Sequence, residues 1–174
     1  LKNLADSIGA REDDVITLLT HFGRDVAGAI QIYDPEHPDE PRTPKAIKVT
    51  QEEVLGLLED TKNSPLANKP RLGKTSLAGV QDKILLAKLD GAWHQVVDGY
   101  PSTHIIKPIS KDYPTIIFDE EYGARLARTV GLASYTTVLE NFNGTMGLVI
   151  ERYDRSAQIP PERIHQEDMN QALG

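Results

Sequence analysis

Two dipeptides, Asp90-Gly91 and Asn143-Gly144, each sit between runs rich in branched and aromatic residues. Dipeptides of this kind tolerate the left-handed backbone of two-residue hairpin turns, so the runs on either side of each are expected to pair antiparallel. The first pair is residues 84–89 with 93–97, the second 136–140 with 148–153. Residues 103–109 supply a further strand. Between the hairpins, residues 119–130 carry Tyr122, Leu126, Ala127 and Val130 at helical spacing, with acids at the start, arginines toward the end and Gly131 just beyond. From residue 75 the order is therefore β, β, β, α, β, β, an α+β arrangement: an antiparallel sheet with one inserted helix.

Upstream the patterning changes. Leu1, Leu4, Ala5 and Ile8, then Val15, Leu18, Leu19 and Phe22, follow helical spacing, divided by Gly9 and closed by Gly23. Residues 28–33 read as a strand. Residues 34–45 hold four prolines and four acidic residues with almost nothing to bury, which marks a linker. Ile47 and Val49 suggest a short strand. Thr50-Gln51-Glu52-Glu53 is a capping box, in which hydroxyl and carboxylate each satisfy an otherwise unpaired amide, opening a helix through Leu58. The expected division is a small first unit over 1–45, a β-rich unit over 46–160, and a helical unit just begun over 161–174. The leucine at the start and the unfinished helix at the end both read as cuts in a longer protein.

Bulk properties narrow the function. The chain has 174 residues and a net charge of −7, which argues against direct nucleic-acid binding, since phosphate contacts need a basic face. No apolar run approaches the roughly 18 residues of a membrane span. There is no cysteine, hence no disulfide or thiolate metal site, which fits a reducing cytoplasm.

Chemistry concentrates around Ser76-Leu77-Ala78-Gly79-Val80-Gln81-Asp82-Lys83 and Thr103-His104-Ile105-Ile106-Lys107-Pro108. Small residues let a loop bring backbone amides against phosphate oxygens, and a lysine near the end of a following strand adds a point charge on the same group. Glycine loop and strand lysine together are how kinase-like folds grip a nucleotide triphosphate, and one helix inserted after the third strand is the plan of a kinase-like N-terminal lobe. Lys107 follows two isoleucines, so its ammonium needs an anion; the expected structural partner is Glu121 by position, or else Glu120. His104, on the opposite face of that strand, reads as a packed core histidine. Arg24 and Asp25 read as an ion pair in a turn, and Asp154 and Arg155 as groups that hold a connection together. His165-Gln166-Glu167-Asp168 lacks a second pair of ligands at helical spacing, so capping of the last helix is expected over metal binding.

Five words in this order resemble the HipA family of serine/threonine kinase toxins: Gly23-Arg24-Asp25-Val26-Ala27-Gly28-Ala29, the Ser76–Lys83 and Ser102–Pro108 stretches, Glu151-Arg152-Tyr153-Asp154-Arg155, and His165-Gln166-Glu167-Asp168. The resemblance implies that Ala78, Gly79, Val80, Gln81, Asp82 and Lys83 cover the phosphates of ATP and that Lys107 binds them. It implies a hinge at Glu151, Arg152 and Tyr153, where backbone groups of the first and third residues meet adenine and the tyrosine ring helps cover it. Ser76 matches the serine that these kinases autophosphorylate, which would add about two negative charges and expel the loop. The family's C-terminal lobe supplies the catalytic base and the magnesium ligands; Asp82, Asp112, Asp119 and Asp154 match neither, so this stretch alone is expected to be inactive. Implied partners are Mg2+ and ATP, a HipB-type antitoxin that carries the DNA contacts, and a protein substrate such as glutamyl-tRNA synthetase, with growth arrest as the consequence. Rival readings are a non-catalytic module that binds an antitoxin or regulates a full kinase, an ATP-grasp-like ligase, for which late-strand carboxylates are wanting, and a small-molecule kinase.

Overall fold

A computed structural model describes all residues except 1, 33, 35, 37–42, 69–74, 78 and 80. Two short helices, α1 (Lys2–Ile8) and α2 (Val15–Phe22), lead the chain, followed by β1 (Lys45–Lys48) and α3 (Gln51–Glu59). The Thr50–Glu53 capping box forms as expected, closing both of its hydrogen bonds at the start of α3. Then come β2 (Ile84–Leu89), β3 (Ala92–Val97), β4 (His104–Pro108), α4 (Ile116–Thr129), β5 (Thr137–Phe142), β6 (Thr145–Glu151) and α5 (Met169–Leu173).

The six strands form one sheet in the order β1-β3-β2-β4-β6-β5, antiparallel throughout. Both hairpins turn where expected, with Asp90, Gly91, Asn143 and Gly144 at positive φ. β6 begins three residues earlier than its apolar run suggests, because Gly147 interrupts that run. Its lack of a side chain is a packing requirement: a Cβ there would press on the Phe142 ring and on Ile106. α4 begins at Ile116, and Ile117 is fully buried.

Alternation along β2 divides the core between the two sheet faces. Ile84 and Leu86 join Val54, Leu57 and Leu58 of α3, Trp93, Ile106, Phe142 and Val149 on one face. Leu85 points the other way, into a cluster with Leu4, Ala5, Leu18, Phe22 and Leu66. The opening helices are thus fastened to the sheet by a shared core. No strand forms over 28–32; instead the Ile32 amide bonds the Gly23 carbonyl and Asp25 makes a single parallel bridge to Thr75. Residue 33 and most of the expected linker lie outside the described residues.

Candidate functional site

The pairing of β2 with β4 sets the site. Ile84 lies opposite Ile106 and Leu85 opposite Ile105; one step further, the same register puts Lys83 beside Lys107 on the face that carries Leu85 and Ile105. The Lys107 ammonium contacts both carboxylate oxygens of Glu120 on α4, at 2.6 and 2.8 Å. Glu121 is not its partner: it is buried and forms an i,i+4 ion pair with Arg125. The reason is rotation. With α4 starting at Ile116, the positions of Ile117, Glu121 and Ala124 turn inward, and Glu120 is left on the flank facing β4.

Lys83 is itself buried, and its pKa is lowered, first by burial and then by the charge of Lys107, against opposing pulls from Glu120 and Asp82. Gly79 lies directly on it. Gly79 has φ +129°, and a Cβ at that position would collide with the Lys83 ammonium. Gln81 Nε2 is buried with no hydrogen-bond partner among the described residues. A cavity of about 220 Å³ opens beside the ribbon toward the start of α1, lined in part by Leu77, Gly79, Gln81, Asp82 and Lys83. Ala78 and Val80, the other expected phosphate-covering positions, lie outside the described residues. Two neighbouring ammonium groups, a glycine ribbon against one of them and a spare amide donor together favour a polyanion.

At its start the ribbon is anchored. Ser76 donates its amide to the Asp25 carbonyl at 3.1 Å, and the Asn68 side chain holds both the amide and the carbonyl of Thr75. The expected Arg24–Asp25 pair does not form as such: the fully buried Asp25 carboxylate instead receives Arg155 Nη2 at 2.9 Å and the Ser102 amide at 3.2 Å.

At the end of β6, Glu151 and Tyr153 reach solvent, whereas Arg152 turns inward. The Arg152 guanidinium bonds Asp154, Ser102 Oγ and the Val26 carbonyl, and its amide bonds the Thr103 carbonyl. The Arg152 side chain is thus a strut, set between the two hinge residues whose backbone groups are expected to meet adenine. The Glu151 amide is likewise taken, by the Thr136 carbonyl, and the Tyr153 ring packs 6.3 Å from that of Tyr135. Burial raises the Asp154 carboxyl's pKa, but the hydrogen bond and charge of Arg152, the Gly28 amide and Arg155 outweigh it and leave the net shift downward. Asp154 and Arg155 thus hold a connection, as expected. Asp168 caps α5 in a reciprocal bond with Gln171, and no group of three metal-ligating side chains gathers among the described residues. Sequence reasoning missed Asn68 and Ser102 as buried supports, and the half-buried Arg163, which bonds the Arg24 and Gly99 carbonyls. Polar residues in irregular segments carry no periodic signal.

The fold and this site define a mixed α/β module with a cationic centre on an antiparallel sheet, and known proteins resemble the chain in sequence and fold. The HipA-like C-terminal domain model matches residues 75–174, and the chain belongs to that family. It is 34% identical over 180 residues to the candidate kinase Y4mE of Sinorhizobium fredii, covering 98% of this chain and 42% of that protein. To the serine/threonine-protein kinase toxin HipA of Shewanella oneidensis it is 33% identical over 182 residues, covering 100% of this chain and 40% of that protein. Among solved structures, HipA in the Shewanella oneidensis complex of HipA, HipB and operator DNA superposes with a TM-score of 0.70 at 26% identity, over 94% of this chain and 38% of that one. The chain spans about two-fifths of the length of these relatives.

Proposed function

We propose that this chain is the nucleotide-holding, kinase-like N-terminal lobe of a HipA-type serine/threonine protein kinase. The observation that carries the reading is the side-by-side placement of Lys83 and Lys107, with Gly79 against Lys83 and Glu120 orienting Lys107. ATP phosphates fit there: Lys107 supplies a charge already held in place, and Gly79 and Gln81 supply close backbone approach and a spare donor. The hinge contributes the carbonyl of Glu151 and the amide of Tyr153 to adenine, with the tyrosine ring alongside. Phosphoryl transfer also needs a hydroxyl-orienting aspartate and carboxylates for magnesium. Nothing among the described residues is assigned to those roles, so they fall to a lobe outside this chain, and this stretch by itself is inactive.

In the whole protein the reading extends to phosphorylation of a serine or threonine on a protein target, an aminoacyl-tRNA synthetase such as the glutamyl enzyme, and to growth arrest in the cytoplasm. A HipB-type antitoxin would bring it to DNA. Support comes from the names of the relatives above, and the acidic chain has no need to touch DNA itself. No helix among the described residues is long and apolar enough to cross a membrane. Phosphorylation of Ser76 would add charge at the anchored start of the ribbon and drive it from its seat. The test is ATP titration of the full-length protein against its Lys107→Ala variant. Loss of at least tenfold in affinity is expected, about 1.4 kcal/mol or more; unchanged affinity overturns the assignment.

A further inference from the structure

We propose that Asp25 is a positioning residue for the nucleotide site, fixing ribbon, strand and hinge relative to one another from outside the sheet. The inference rests on the nucleotide-binding reading above. Asp25 lies in the turn after α2, and its side chain is fully buried. Its carbonyl takes the Ser76 amide at the root of the ribbon. One carboxylate oxygen takes the Ser102 amide, two residues before β4, the strand that ends with Lys107 and Pro108. The other takes Arg155 Nη2, just beyond the hinge. Arg152 ties these attachments together through Ser102 Oγ at 2.9 Å and Asp154, with its Nη1 3.9 Å from Asp25.

Each attachment belongs to a different part of the proposed site, yet Asp25 is too deeply buried to meet a ligand itself. Charge makes the arrangement sensitive. Arg152 and Arg155 are buried with two carboxylates between them, Asp25 and Asp154. Removing Asp25 leaves two buried guanidinium groups to one carboxylate, which is costly unless the backbone moves to admit water. The backbone that would move is the hinge and the lead-in to β4. Small displacements of binding groups weaken binding steeply.

The full-length kinase tests this with Asp25→Asn, which keeps the shape and an acceptor oxygen but loses the charge, beside Lys107→Ala. Loss of positioning raises KM for ATP, on the order of tenfold, while kcat stays within about twofold, because the displaced groups act in ground-state binding. A role in folding alone would lower apparent kcat through a smaller active fraction and leave KM where it was. Amide exchange gives a readout independent of nucleotide: the Ser76 and Ser102 amides lose protection in Asp25→Asn while those of Ile84 and Ile106 keep it. If Asp25→Asn does not fold, Arg155→Lys, which keeps the charge but loses the fork, is held to the same two measurements. A folded variant with wild-type KM and wild-type exchange at Ser76 and Ser102 overturns the inference. Wild-type affinity in Lys107→Ala overturns the nucleotide reading instead and leaves the exchange result to judge whether Asp25 fixes the ribbon.

Discussion

His104 shows how burial sets one residue's behaviour. Its ring meets Trp93 edge-on at 5.3 Å, and Thr103 Oγ1 lies 2.8 Å from Nδ1. Burial lowers its pKa to about 4, with Glu151 and Glu140 pulling weakly the other way and Lys88 adding to the drop. An unfolded histidine titrates near about 6.5, so between that pH and about 4 the unfolded chain binds a proton that the folded chain refuses. Stability therefore rises with pH across that window. His104→Phe keeps an aromatic partner for Trp93 and removes the titration. The melting temperature of the wild type should fall more steeply than that of the variant as pH drops from about 6.5 to 4; parallel curves would refute the assignment. Asp154 gives the same trend with pH from the opposite cause, because its partners favour the charged form. Its folded-state pKa is depressed, so its stabilisation is present above the ordinary carboxylate range and lost as pH falls through it. Asp154→Asn should accordingly narrow its stability gap to the wild type below about pH 4, as seen by thermal melts at stepped pH.

At the scale of elements, the ribbon between residues 76 and 83 makes the sharpest prediction. Gly79 combines a positive φ with direct contact on the Lys83 ammonium, so Gly79→Ala both strains the backbone and displaces the cation. Nucleotide affinity should drop several-fold, and the melting temperature should fall as well because the backbone is strained. Gly91→Ala, also at positive φ but with nothing within 4 Å of the added carbon, is the control: it should cost stability and leave affinity alone. Calorimetric titration beside thermal melts separates the two, and equal affinity losses in both variants would contradict the steric argument. How much of these elements is legible in the sequence follows from the same local physics. Asp-Gly and Asn-Gly announce their hairpins because the turn depends on them alone. The start of β6 is hidden, since Gly147 breaks the apolar run for the sake of the Phe142 ring on a neighbouring strand. Sequence alone does not choose between Glu120 and Glu121 as the Lys107 partner, because the two are neighbours in one turn and the packing of Ile117 and Ala124 decides which of them meets β4. The 28–32 segment misleads for a different reason: its apolar residues alternate, but its backbone is drawn into bonds with Gly23 and Asp154.

The molecule as a whole turns on whether its opening helices are a neighbour of the sheet or a part of it. The sequence suggests a neighbour, because a proline-rich acidic stretch follows them. Packing argues for a part: Phe22 and Leu18 share a core with Leu85, which lies between Ile84 and Leu86 of the opposite core, and Asp25 is buried between two arginines from beyond β6. Interactions through a single strand cannot be lost on one face without loosening the other. Phe22→Ala should therefore cost about 3–5 kcal/mol, the range for a truncated buried ring, and withdraw it from the entire fold. The single tryptophan, Trp93, provides the probe, since it reports from the face that Phe22 does not touch. Its fluorescence and the far-ultraviolet circular dichroism should move together to a lower midpoint in one transition. An early loss of helical signal with Trp93 unaffected would mean that the first segment melts alone, and the ribbon would then lose its Asp25 anchor while the sheet still stood.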